Sequence, residues 1–240
     1  LYRAGERIVI AYTVGQASIL ESHDLESRDG QPVFVRTLSV GASTRDLLLR
    51  VANAGTSVAL TAPPALTLAT EDHFITLRIP ATATPVRLAL RLAAAGTPTP
   101  ATTEVPRDLA GFTHGGPALW TETLETPVVR SEAKGAFAWE RFTLPLSNPW
   151  RTRLRLSGLD FLPGGRAAVL CTWDGDVWRV DGIDGEATSV TWRRIASGLF
   201  QPLGLKLRGP DVFVTCRDQL VVLRDFNGDG ETDYYENFNS

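Results

Sequence analysis

The chain has 240 residues, 43% hydrophobic and 21% charged, with a net charge of −3. That composition describes a folded globular protein and offers no basic field for nucleic acid or an anionic membrane surface. No apolar run approaches the ~20 residues that span a bilayer, and two cysteines cannot make a disulfide framework for a chain of this size.

Residues 1–95 read as short strands separated by turns. The expected strands are Arg7–Val14, Ala17–Ser22, Pro32–Val40, Arg45–Val51, Val58–Thr61, His73–Pro80 and Val86–Ala93. Period-two alternation carries the clearest of them. Phe74, Thr76 and Arg78 fall on one face, with Ile75, Leu77 and Ile79 on the other. Val86, Leu88, Leu90 and Leu92 share a face, and with Pro85 they argue for a strand over a helix in the Ala-rich stretch. Turn signals recur at Val14-Gly15, Asp29-Gly30, Ala54-Gly55 and Pro63-Pro64. The expectation is an antiparallel β-sandwich-like domain.

Residues 96–128 change character. Gly96–Pro106 is a Pro/Thr stretch without a period, expected as a linker. His114-Gly115-Gly116 could frame a ligand, but a single His beside glycines reads more simply as an ordered connection anchored by Trp120. All six tryptophans lie from Trp120 onward, and this step sets a domain boundary near residue 129.

Residues 129–240 contain an internal repeat. Gly158-Leu-Asp-Phe161 recurs as Gly204-Leu-Lys-Leu207, and the strand ending in Cys171 recurs as the strand ending in Cys216. A period of about 45 residues built from short strands suggests propeller blades, here about two of them, so the ring is incomplete. Asp174-Gly175 is a favoured hairpin turn. Arg151–Leu156 alternates Arg with smaller residues and reads as a strand with a solvated face, or as an anion-binding strip. Cys171 and Cys216 occupy equivalent positions of adjacent repeats and are expected as buried, reduced thiols. The fold expected overall is all-β.

The one specific site motif lies at the end. Asp225-Phe-Asn227-Gly-Asp229-Gly230-Glu231-Thr-Asp233-Tyr-Tyr-Glu236 fits the twelve-residue calcium loop of EF-hand type. Asp225, Asn227 and Asp229 would give side-chain oxygens and Glu231 its carbonyl. Asp233 would act through a water and Glu236 with both oxygens. Such residues also suit a metal-free turn, but the match at every defined position favours calcium. The preceding strands place the loop on a β scaffold, so it is expected to be a structural clamp rather than a sensor. With His residues at only 23, 73 and 114 and no C-x-x-C-H, neither a zinc site nor a haem attachment is expected within the chain. Leu1 at the start, and no Met anywhere, read as a piece of a longer protein.

From about Phe142 the chain resembles the propeller start of large secreted proteins of planctomycetes and related bacteria. The residues that carry this are Pro145–Trp150, Gly158–Phe161, Cys171–Trp178, Gly198–Leu205 and Asp225–Asn237; Phe112–Trp120 resembles the segment before that propeller. Such propellers are similar to quinoprotein glucose/sorbosone dehydrogenases, some joined to a c-type cytochrome domain. The resemblance implies a secreted or periplasmic protein that oxidises a sugar or polyol. A PQQ or haem cofactor would sit in parts outside this chain. Its partners would be the rest of its own propeller and downstream domains, with carbohydrate as a candidate ligand. Residues 129–240 contain no His to serve as a base, so no catalytic residue is assigned and the stretch alone is expected to be inactive. The alternative is a non-enzymatic glycan- or protein-binding module with a structural calcium site.

Overall fold

The computed structural model describes residues 1–99, 104–132 and 135–240; residues 100–103 of the Pro/Thr stretch lie outside them. The regular structure described is all-β, apart from one 3-10 turn at Ala110–Phe112. The chain divides into two compact units. One holds Leu1–Tyr2 and Arg7–Thr113; the other holds Arg3–Glu6 and His114–Ser240. The first strand, β1 (Tyr2–Ala4), straddles the division.

The first unit comprises β2 (Arg7–Val14), β3 (Ala17–Arg28), β4 (Gln31–Val40), β5 (Leu47–Asn53), β6 (Ser57–Thr61), β7 (Thr67–Glu71), β8 (Phe74–Ile79) and β9 (Val86–Ala93). One antiparallel sheet runs β2-β3-β4-β9-β6 and another β5-β8-β7. They pack face to face, so the unit is a β-sandwich. Ile19, Leu38, Val40, Leu88 and Leu90 from the first sheet share a core with Val51, Leu77 and Ile79 from the second. The alternation of β9 causes this: a period of two puts Val86, Leu88, Leu90 and Leu92 on the core side. The Ala-rich stretch is therefore a strand.

The second unit adds β10 (Thr123–Arg130), β11 (Glu140–Phe142), β12 (Leu156–Phe161), β13 (Ala167–Thr172), β14 (Val177–Asp181), β15 (Ser189–Ala196), β16 (Gly204–Arg208), β17 (Asp211–Thr215), β18 (Leu220–Arg224) and β19 (Tyr234–Asn239). Strands β12 to β15 form an antiparallel meander extended by β10 and β11, and β16 to β19 form a second meander. The expected repeat thus corresponds to two four-stranded meanders. Val169, Cys171, Val177 and Ile195 of the first pack against Val212, Val214, Val221 and Leu223 of the second. Both cysteines are buried and free, as expected.

The other face of the first meander is covered by chain that precedes it. Trp178, Val180, Val190 and Trp192 bury against Leu144, Trp150 and Leu154, and Trp150 meets Trp178 edge-on with ring centroids 5.6 Å apart. This corrects the strand expected at Arg151–Leu156. The segment makes no ladder until Leu156, and Arg151 turns with φ 54. Its alternation serves to seat Leu154 under the sheet while Arg153 and Arg155 face solvent. Thr123–Arg130, which straddles the boundary expected near residue 129, forms β10 and pairs with β15.

Candidate metal centre

The motif forms the connection between β18 and β19, so strands flank it on both sides. Its winding follows from short side-chain-to-backbone bonds. Asp225 accepts the Gly228 N–H on Oδ1 at 2.7 Å and the Gly230 N–H on Oδ2 at 2.8 Å. Asn227 Oδ1 accepts from Asp229 N–H and Asp229 Oδ1 from Glu231 N–H, both at 2.9 Å. These i to i+2 bonds are Asx turns. Gly228 and Gly230 take positive φ, 75 and 84. Gly230 also leaves room for Arg193: a Cβ there would lie 2.5 Å from its Nη1 and push aside the guanidinium whose Nη2 donates to the Asp229 carbonyl at 2.6 Å.

The remaining acidic positions are placed differently. Glu231 is buried, and its Oε2 accepts the N–H groups of Leu119 at 2.9 Å and Trp120 at 2.8 Å. Its Oε1 lies 3.2 Å from Arg3, whose guanidinium stacks 3.8 Å from the centre of the Trp120 ring. Asp233 is also buried. Its Oδ2 accepts from Phe226 N–H at 2.8 Å and Asn227 N–H at 3.3 Å, and its Oδ1 from Gly116 N–H at 3.2 Å. Glu236 sits on β19, where its carboxylate pairs with Arg224 at 2.7 Å; Arg224 also holds Asp211 at 2.6 Å. The structure therefore brings Asp225, Asn227 and Asp229 together, buries Glu231 and Asp233 under them, and gives Glu236 a partner on β18.

Among the described residues no three His, Cys, Asp or Glu side chains are grouped so as to hold a metal ion. A cation here would take two carboxylates (Asp225, Asp229), the Asn227 amide oxygen and the Glu231 carbonyl. That donor set is all oxygen and suits a hard cation of the calcium class. The side-chain oxygens of Asp225, and Oδ1 of Asn227 and Asp229, each accept one N–H and retain a second lone pair. The residues present fit calcium to that extent, with few charges and hence modest affinity.

Sequence reasoning missed two contributors. Arg3 and Arg193 carry no local signal, since each acts only through tertiary contact. Gly115 and Gly116 did give a signal, and close approach explains it. A Cβ on Gly116 would fall 2.5 Å from the Ala4 Cα, and one on Gly115 2.9 Å from the Asp233 carboxylate. His114 itself is exposed.

A second polar cluster lies in the first unit. Glu21 is buried and accepts from Tyr12 Oη at 2.8 Å and Arg36 Nε at 2.8 Å, with His23 Nε2 at 3.0 Å. Burial, reinforced by the Glu21 carboxylate, pushes the Tyr12 hydroxyl up to about 12. No protein-family model, curated protein or solved structure matches the chain.

Proposed function

We propose that the two meanders are consecutive blades of a secreted, calcium-binding β-propeller protein, and that the ion at Asp225, Asn227 and Asp229 is structural. The observation that supports this best is the contact between equivalent strands. Gly158 of β12 and Gly204 of β16 begin the two repeats, and a Cβ on Gly158 would lie 2.9 Å from the Gly204 Cα. Inner strands converging on a common axis approach each other in this way. The resemblance to sugar dehydrogenase propellers extends the reading to the parent protein as a dehydrogenase of a sugar or polyol using PQQ, with haem as the electron acceptor. Quinone, haem and the catalytic base would all belong to its other parts. The present chain is then inactive in a quinone-reconstituted sugar oxidation assay, and turnover there would refute the assignment. Calcium is tested by melting the protein with calcium and with chelator: the ion raises the melting temperature of the wild type and not that of Asp229→Ala. Equal melting in all cases would sink the calcium reading.

A second reading, a non-enzymatic module, has its own observation. Ile8, Ile10, Leu25 and Phe34 are exposed on the sandwich face that surrounds the Glu21 cluster. Large exposed apolar patches mark interaction surfaces. Binding to a glycan array that disappears in Phe34→Ala would favour this reading for the first unit.

A further inference from the structure

Apart from Glu236, which pairs with Arg224, the loop's polar positions fall into two sets that do different work. Glu231 and Asp233 are buried, whereas Asp225 and Asn227 are exposed. Glu231 Oε2 and Asp233 Oδ2 each already accept two backbone N–H bonds. A carboxylate oxygen has two in-plane lone pairs, so neither of these atoms has one left for an ion. The Glu231 charge is balanced by Arg3, and the Asp233 carboxylate by three N–H dipoles. What the two side chains hold is the segment 114–120. It enters at Gly116, whose N–H goes to Asp233 and whose carbonyl accepts Asn227 Nδ2 at 2.7 Å. It ends at Leu119 and Trp120, whose N–H groups converge on one oxygen of Glu231. Arg3 closes the assembly from β1: its own N–H reaches the Asp233 carbonyl at 2.8 Å while its guanidinium covers the Trp120 ring.

We infer that Glu231 and Asp233 form a clamp that fastens residues 114–120 to the β16–β19 meander, and that this clamp closes whether or not an ion occupies Asp225, Asn227 and Asp229. The inference goes beyond the calcium reading, since it gives the Glu231 and Asp233 side chains a metal-independent task and leaves only the carbonyl of Glu231 on the ion side. Two residues link the sets: Asn227, with its oxygen on the ion side and its nitrogen on the clamp side, and Glu231, with its carbonyl on the ion side and its carboxylate on the clamp side.

Amide hydrogen exchange of the peptide covering 114–120, read by mass spectrometry, tests this. The wild type keeps its protection in EDTA. Glu231→Gln exchanges faster by about ten- to a hundredfold, the range expected for losing hydrogen bonds to a charged group, and Asp225→Asn exchanges like the wild type. Wild-type exchange rates in Glu231→Gln would overturn the clamp. Release by EDTA, or by Asp225→Asn, as large as that from Glu231→Gln would overturn its independence of the ion. Should Glu231→Gln lose the β circular dichroism of the wild type, the exposed Asn227→Asp serves instead. It removes the Asn227 Nδ2 donor to the Gly116 carbonyl at 2.7 Å and, with it, a longer bond to Asp229 Oδ2 at 3.2 Å inside the loop. Faster exchange of 114–120 then supports the clamp, and unchanged exchange counts against it.

Discussion

Gly158 and Gly204 meet backbone to backbone, yet the space around them is not symmetric. A Cβ on Gly158 would press on the Gly204 Cα at 2.9 Å, whereas one on Gly204 meets nothing within 4 Å. Gly158→Ala therefore forces β12 and β16 apart and costs about 1–3 kcal/mol, as overpacking does. Gly204→Ala changes stability by no more than ~1 kcal/mol. Urea unfolding of the two variants checks the difference, and equal losses would contradict the packing described.

Asp176 and Arg194 form a buried ion pair, with Arg194 Nε donating to Asp176 Oδ1 at 3.1 Å. Arg194 also stacks on Trp120, 4.4 Å from the ring centre. Asp176→Ala strands the guanidinium and should destabilise by about 3–5 kcal/mol. Replacing both partners by apolar residues of similar size should cost less than the single change. Thermal melts of the single and double variants decide this, and a double variant that is the less stable of the two would show that the pair contributes more than the charge it balances.

Burial raises both thiols, and Asp218 and Cys171 help push Cys216 up to about 11. An unfolded thiol titrates near ~8.5. The sign follows from these values. Below the unfolded value the thiol is protonated in both states, and its contribution to stability is fully present. As pH rises from ~8.5 towards 11, only the unfolded state ionises, and that contribution is progressively lost. Stability should fall over this window in the wild type and fall less in Cys216→Ala. A thiol reagent at pH 8 should find neither cysteine in the native protein and both after unfolding.

Glu236 and Asp229 separate the loop's motif from its geometry. Glu236→Gln weakens a half-exposed pair with Arg224, worth about 0–1 kcal/mol, and should leave calcium affinity within about twofold. Asp229→Ala should reduce it by tenfold or more, since it removes one of two carboxylates from the ion's donor set. Calorimetric titration measures both. Equal losses would return Glu236 to the ligand set.

Strand periodicity was legible where apolar side chains alternate with other types. β2 and β9 match the expected bounds residue for residue: Val86, Leu88, Leu90 and Leu92 of β9 face the sandwich core, while the residues between them are Arg and Ala, although Ala89, Arg91 and Ala93 are buried too. β7 was missed: four of the five residues of Thr67–Glu71 are exposed, so no alternation marks it. Arg151–Leu156 misled for the converse reason, since a loop lying on a sheet can seat one apolar side chain, Leu154, between exposed arginines without any ladder. The loop motif fixed where oxygen-bearing side chains gather. It could not tell which of them face outward, because the partners of Glu231 and Asp233 are N–H groups at positions 116, 119 and 120, which look like any other backbone in a sequence.

Trp150 and Leu154 carry one more implication. By lying over Trp178 they seal one side of the first meander with its own preceding chain. On the second meander Phe238 is 58% exposed, with Phe213 edge-on to it at 5.8 Å. The first meander is thus sealed on both faces, by the second meander and by its own preceding chain, whereas the second keeps an aromatic side chain in water.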